Sequence, residues 1–347
     1  MNFIGTDTGS PSSRSRTSAV HIAINGLVFL AALIACCLAI ASVTPLPESL
    51  GHYAKYVHFR QHAARYDTIF VGSSRFYHQL IPQQFDAEIA SRGGETTSFN
   101  LANDALWPPE SFYWLRSILA LRPPHLKWVI IELMDINTNL EDRTSATERT
   151  SYWHDWQHTR IALREIAESP RTSEQKWSLG IQHAQLGVQQ MTGIGRGAEL
   201  LRRRTAPPKK SKPSVWHHAE GWLPEPDQQM TGKQLDEYLW TVGTLKNGIP
   251  PSPITPVYRD ALADIIGEIR QLGAEPIFVI TPTINPLENF TGVPAGATVL
   301  AFNDPQKYPT LFEPDRHFDK WHLNAKGAAE FTAALATECA RVMGKPR

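Results

Sequence analysis

The sequence predicts an α/β fold: a three-layer α/β/α sandwich around a mostly parallel sheet, with one membrane-spanning helix before it and a helical insertion within it. Three observations predict this. Four short apolar runs, at 67–74, 96–103, 127–134 and 275–282, end in small or polar residues, as buried strands do when they enter tight turns. Helix-like patterns alternate with these runs, and that alternation favours parallel strands joined by crossover helices. A stretch from Ala19 to Val43 carries no Asp, Glu, Lys or Arg, and it is long enough to cross a hydrocarbon layer about 30 Å thick.

Taken in order, residues 1–18 are rich in Ser, Thr and Gly and predict a disordered tail. Residues 19–43 predict a transmembrane anchor. Two competing readings exist: "AIAS" weakly matches a signal-peptidase site, and Leu33-Ile34-Ala35-Cys36 resembles a lipoprotein box. The chain stays apolar through Val43, which argues against a polar tether after Cys36. Arg14 and Arg16 precede the span while Lys55 and Arg60 follow it, so the positive-inside count is nearly balanced. Cys36 and Cys37 lie inside the span, leaving Cys339 alone outside it and no intrachain disulfide to form there.

Residues 44–64 predict a linker, and 65–347 a single catalytic-type domain. "DTIFVGSS", "TTSFNLAN", "KWVIIELM" and "EPIFVITP" are its strands, the third having the continuous Val/Ile character of an interior parallel strand. Between the second and third lies "PPESFYWLRSILAL", a helix with prolines at its start. Before the fourth, Leu262, Ile265, Ile266 and Ile269 recur at helical spacing. The interval 138–256 breaks the rhythm and predicts a mainly helical insertion with a flexible basic loop, "LRRRTAPPKKSKP", at 201–213. That loop, with Arg202, Arg203, Arg204, Lys209, Lys210 and Lys212, is a solvated segment or, beside a membrane, an attractor of anionic lipid or acidic glycan. The 347-residue chain holds 34 Lys plus Arg against 34 Asp plus Glu, so no global field points to nucleic acid.

Sheets of this kind carry active residues on loops beyond the carboxyl ends of their strands. Gly72-Ser73-Ser74, Asn100 to Ala105, Glu132 to Asn137, and the loop holding Asp319 and His322 would all converge on one rim. Ser74 is the candidate nucleophile, His322 its base and Asp319 the carboxylate that orients the imidazole, because a serine hydroxyl needs a base within hydrogen-bond reach to attack. Blander readings stand beside this one. His322 could be a helix-entry residue packed on Trp321 with Asn324 as the cap, Asp319 could pair with Arg316 or Lys320, and Arg75 with Asp104 could be a structural ion pair or touch substrate. His154 and His158, four apart, suggest a zinc site only weakly, as do His217 and His218 nearby; no metal and no organic cofactor is expected.

"VGSSR" and "FDKWHLNAKGA" resemble the first and last blocks of the SGNH/GDSL hydrolase superfamily, with Gly72-Ser73-Ser74 in place of the usual Gly-Asp-Ser. With the amino-terminal anchor, the pattern is similar to membrane-anchored members such as the alginate O-acetylation proteins and the D-alanyl-lipoteichoic-acid protein D. The resemblance covers about 65–137 and 258–343. It implies an acyl esterase or O-acyltransferase on an envelope polysaccharide, placed outside the inner membrane, and for a transferase a multispanning membrane acyltransferase as acyl source. It also implies an oxyanion hole from the Ser74 N–H and a second-block donor, here Ala105 or Asn103. "ELMDINTN" lacks the family's Gly-x-Asn-Asp, so Asn137 or Asn103 is the candidate replacement. The alternative is a catalytically silent member that binds glycan or scaffolds a polymer-modification complex. A weaker third reading is a cytoplasmic lipase or thioesterase with the opposite orientation.

Overall fold

The computed structural model describes residues 13–43, 51–141, 149–205, 219–226 and 228–344. Helix α1 (Ser13–Val43) contains the apolar stretch Ala19–Val43, 25 residues with mean hydropathy 2.7. α2 (Gly51–His62) leads into β1 (Thr68–Val71), α3 (Ser74–Gln79), α4 (Pro82–Ala90) and β2 (Ser98–Asn100). α5 (Glu110–Leu119) precedes β3 (Trp128–Glu132). Among the described residues, five helices follow in the region expected to be an insertion: α6 (Thr150–Trp153), α7 (Trp156–Glu168), α8 (Ser173–Thr192), α9 (Arg196–Thr205) and α10 (Gly232–Leu245). The chain then runs through β4 (Ser252–Pro253), α11 (Pro256–Gln271), β5 (Glu275–Ile280), β6 (Phe290–Thr291), β7 (Thr298–Ala301) and α12 (Ala325–Met343).

The fold is α/β. Its main sheet has the order β2-β1-β3-β5-β7 with every neighbouring pair parallel, and helices cover both faces. On one side α12 packs against α3 and α4; on the other α11 packs against α5 and α7. β1, β2 and β5 are buried almost throughout, which is why they read as apolar runs rather than alternating ones. β7 was not among the expected strands, although Val299-Leu300-Ala301-Phe302 is a short apolar run; it is an edge strand whose residues are half-buried or exposed. β4 and β6 form a separate parallel pair.

The order of the main sheet fixes where a site can form. From β1 the chain steps to β2 on one side and to β3 on the other, so the loops after β1 and β3 diverge and leave a crevice beyond their carboxyl ends. Gly72-Ser73-Ser74 lies there.

The described residues fall into two compact units. One holds the described parts of 1–45 and 188–208, the other those of 46–187 and 209–347. In the first, α9 packs along α1, and Gly193 (φ +71°) approaches so closely that a Cβ there would stand 2.7 Å from the Cys37 carbonyl oxygen. Val20, Ile22, Leu27, Val28 and Phe29 of α1 are exposed, and the helix is long and apolar enough to cross a membrane or serve as a signal anchor. In the second unit, besides the main core, Leu140, Trp153, Ala162, Ile166 and Leu179 form a small cluster among the inserted helices. Lys209, Lys210, Lys212, His217 and His218 lie outside the described residues.

Candidate active site

β1 ends in a turn with no room for a side chain at Gly72. A Cβ added there would meet Glu132 Oε2 at 2.5 Å, Glu132 Cβ at 2.7 Å and Phe76 Cγ at 2.9 Å. Ser73 caps α3, its hydroxyl accepting from the Arg75 N–H, and Ser74 is the first residue of the helix. The turn is anchored from beneath: the Ser73 N–H donates to Glu132 Oε2 (2.6 Å), and Arg75 donates through Nε to Glu132 Oε1 (2.6 Å) and through Nη1 to Glu288 Oε2 (2.5 Å). Burial alone would lower the Arg75 pKa, but the two carboxylates outweigh it and hold the guanidinium charged. The two residues flanking the Gly72–Ser73 peptide bond are thus fixed by the carboxylate at the end of β3, the neighbouring strand.

The last loop meets this turn from the other side. His322 Nε2 stands 2.8 Å from Ser74 Oγ, and His322 Nδ1 stands 3.1 Å from each carboxylate oxygen of Asp319. With Asp319 accepting from Nδ1–H, Nε2 is left as the acceptor of the serine proton. Asp319 also accepts the backbone N–H groups of Trp321 (2.7 Å) and His322 (2.8 Å). Burial pushes its carboxyl up, yet the His322 imidazole and these N–H donors outweigh burial and hold it below the usual range. The loop is closed as a small hairpin by the Phe318 N–H donating to the His322 carbonyl (2.9 Å) and by the bridge between His317 and Leu323. Asn324 then caps α12, accepting from the N–H groups of Lys326 and Gly327, so the cap and the imidazole coexist as neighbours in the chain.

The loop after β2 supplies the third side. The Asn103 N–H donates to the Gly72 carbonyl (3.2 Å), which ties this loop to the serine turn. Ala105 has φ +52°, a left-handed conformation that favours glycine, at the position where a second backbone donor is expected. Three basic side chains hold the segment. Buried Lys55 of α2 donates to the Ala102 carbonyl, Arg149 donates to the Asp104 and Ala105 carbonyls (2.7 Å each), and His78 grips the Asp104 carboxylate (3.0 Å). His78 also donates through Nδ1 to the Leu223 carbonyl (2.8 Å) and has Glu225 at 3.4 Å. Burial would lower its pKa, but the Asp104 bond and Glu225 overcome that and raise it. Its ring stands edge-on to His322, with centroids 6.0 Å apart.

Of the expected site residues, the structure brings together Ser74, His322 and Asp319, and joins the Asn103–Ala105 loop to the same turn. The Asn103 side chain uses its Oδ1 to accept the Asp104 N–H (2.8 Å). Asn137 is engaged elsewhere: its amide donates to Asp135 and Glu165 and accepts from Arg171. Arg75 and Asp104 do not pair with each other; each has its own partners, Glu132 with Glu288 for one and His78 for the other. Arg316 pairs with Glu313, Asp315 and Glu330, and Lys320 with Glu237, which leaves Asp319 to His322. His154 and His158 do not share a helix face, because His154 lies before α7 begins. It contacts His183 (2.8 Å), while His158 faces Asp155 (2.7 Å) and Arg116 (2.9 Å). Among the described residues, no three His, Cys, Asp or Glu side chains gather as metal ligands do.

No protein-family model matches this chain, and no curated protein matches it either. The chemistry of the site rests on its own geometry. Sequence reasoning missed Glu288, Lys55, His78 and Arg149, and placed Glu132 on the rim without its partners Ser73 and Arg75. A signal existed for that pairing: a lone carboxylate inside the apolar run "WVIIEL" has to be paired when buried.

Proposed function

We propose that this protein is a membrane-anchored serine esterase or O-acyltransferase, similar to the SGNH/GDSL hydrolases, acting on an envelope polysaccharide or related polymer. The observation that carries the reading is the 2.8 Å contact from Ser74 Oγ to His322 Nε2, backed by Asp319. Ser74 attacks an ester carbonyl as His322 takes the hydroxyl proton, and Asp319 stabilises the imidazolium that forms. The tetrahedral oxyanion is met by the N–H groups of Ser74, at the start of α3, and Ala105, on the loop after β2. Collapse expels the alcohol, protonated by His322, and leaves an acyl-Ser74 that passes to water or to a sugar hydroxyl.

The apolar span Ala19–Val43 supports an anchor in the inner membrane, with the α/β unit on the extracytoplasmic side, where envelope polymers and a multispanning acyl donor protein are within reach. A carboxyl-terminal alkaline phosphatase fusion should be active; an inactive one overturns this orientation. A second reading, a silent glycan-binding scaffold, is favoured by one observation: the Asn137 amide is occupied, so the site has fewer side-chain donors than the family pattern implies. Treatment of the full chain with a fluorophosphonate and peptide mapping separates the two. An adduct on Ser74 that disappears in His322→Ala supports the enzyme; no adduct on folded protein supports the scaffold.

A further inference from the structure

Beside the hairpin that carries His322, a groove of about 520 Å³ opens between α10 and the segment after β5. Its walls include two indoles. Trp240, on α10, is 74% exposed, and Trp321, the residue before His322, is 43% exposed. Large exposed aromatics are expensive to leave in water, and paired on two sides of one groove they make flat faces suited to a flat, partly apolar ligand. The polar groups around them are Asp236, Glu237, Asn285 and Lys320. Lys320 reaches Glu237 at 3.6 Å and lies 5.5 Å from the centre of the Trp321 ring, so the two walls are linked.

The groove is coupled to the candidate catalytic turn from two directions. Trp321 donates its own backbone N–H to Asp319 (2.7 Å), and Asn285 donates to Glu288 (3.2 Å), the residue that holds Arg75. The wall on α10 is equally fixed, because the Tyr238 hydroxyl donates to the Phe312 carbonyl (2.9 Å) and touches His317 at the base of the hairpin (2.8 Å). A polymer lying in this groove therefore runs alongside the residues that place Ser74 and His322.

We infer that this groove is a binding site for a non-anionic glycan, the sugar rings stacking their C–H faces on Trp240 and Trp321 and their hydroxyls meeting Asp236, Glu237 and Asn285. Within the lining two carboxylates stand against one ammonium, with Lys233 reaching Glu237 from outside it (3.7 Å), and this lining disfavours polyuronates relative to neutral or amino sugars. This rests on the envelope-polymer reading above and names the charge class of that polymer.

The test uses the full chain carrying Ser74→Ala in a detergent without sugar groups, titrated with the pentamer of N-acetylglucosamine, the pentamer of glucosamine, cellopentaose and the pentamer of galacturonate. Binding is read by calorimetry. One or more of the first three should bind and the galacturonate should not, and Trp240→Ala should weaken that binding by about three- to tenfold, the worth of one stacked ring. Trp177→Ala, an exposed indole outside the groove, should leave it unchanged. No binding by any pentamer, preference for galacturonate, or equal affinity in folded Trp240→Ala overturns the inference. Because Ser74 is absent throughout, these outcomes are independent of whether the parent forms a fluorophosphonate adduct.

Discussion

Gly72→Ala places one methyl group at the tightest point beneath Ser74. Ordinary contact begins near 3.4 Å, so the new Cβ requires Glu132 Oε2 to retreat by about 0.9 Å from 2.5 Å, and Glu132 Cβ by about 0.7 Å from 2.7 Å. Neither can retreat alone. Oε2 accepts the Ser73 N–H at 2.6 Å, Oε1 holds Arg75 at 2.6 Å, and Cβ belongs to β3, which pairs with β1. The strain is relieved by moving the turn itself, at about 1–3 kcal/mol of stability for the added methyl. Ser74 then shifts relative to His322, and a displacement approaching 1 Å costs on the order of 100-fold in reaction rate. The assay is the rate of fluorophosphonate labelling at Ser74, run beside a urea unfolding curve. Labelling at the parental rate with an unchanged midpoint would show that the turn is not held by this contact.

Arg149→Met should destabilise the fold by about 3 kcal/mol at neutral pH, because it strands the buried Glu110 carboxylate it touches at 2.6 Å. Burial already pushes the Glu110 pKa up, so the loss should shrink as the pH falls through that raised value, and Arg149→Met with Glu110→Gln should recover part of it in denaturant melts. His78 has a raised pKa in the folded state. Its stabilising contribution is therefore complete below 6.5 and lost as pH rises through the raised value. The unfolding midpoints of the parent and His78→Gln should converge with increasing pH, and a gap that stays constant refutes the charged clamp on Asp104. Ala105→Gly should raise stability by up to about 1 kcal/mol, since glycine adopts φ +52° without the Cβ penalty; a lower midpoint contradicts the strain assigned to that turn.

Four of the five main strands were legible because burial on both faces leaves an unbroken apolar run, as in Ile69-Phe70-Val71 and Ile277-Phe278-Val279. β7 was not, since no α-helix separates it from β5 among the described residues, so the alternation that marks parallel strands is missing there, and its residues are half-buried or exposed. Ser74, Asp319 and His322 were legible because local chemistry carries the message: a tight turn before a helix, and a carboxylate three residues before an imidazole. The groups that hold them were not. Lys55 reaches Ala102 across 47 residues and Arg75 reaches Glu288 across 213, and spacing along a chain says nothing about such meetings. The pairing of Arg75 with Asp104 failed for that reason, as did the shared helix face for His154 and His158, because the chain turns between the two before α7 starts.

Ser74 and His322 are 248 positions apart, and α12, the helix that braces α3 and α4, comes later still. A chain made from its amino end thus carries its serine for most of synthesis without a partner to sharpen it. Under the mechanism proposed above, the hydroxyl stays an ordinary alcohol during synthesis and gains its base only on closure of the finished unit. On that mechanism, chain order serves as a safety catch.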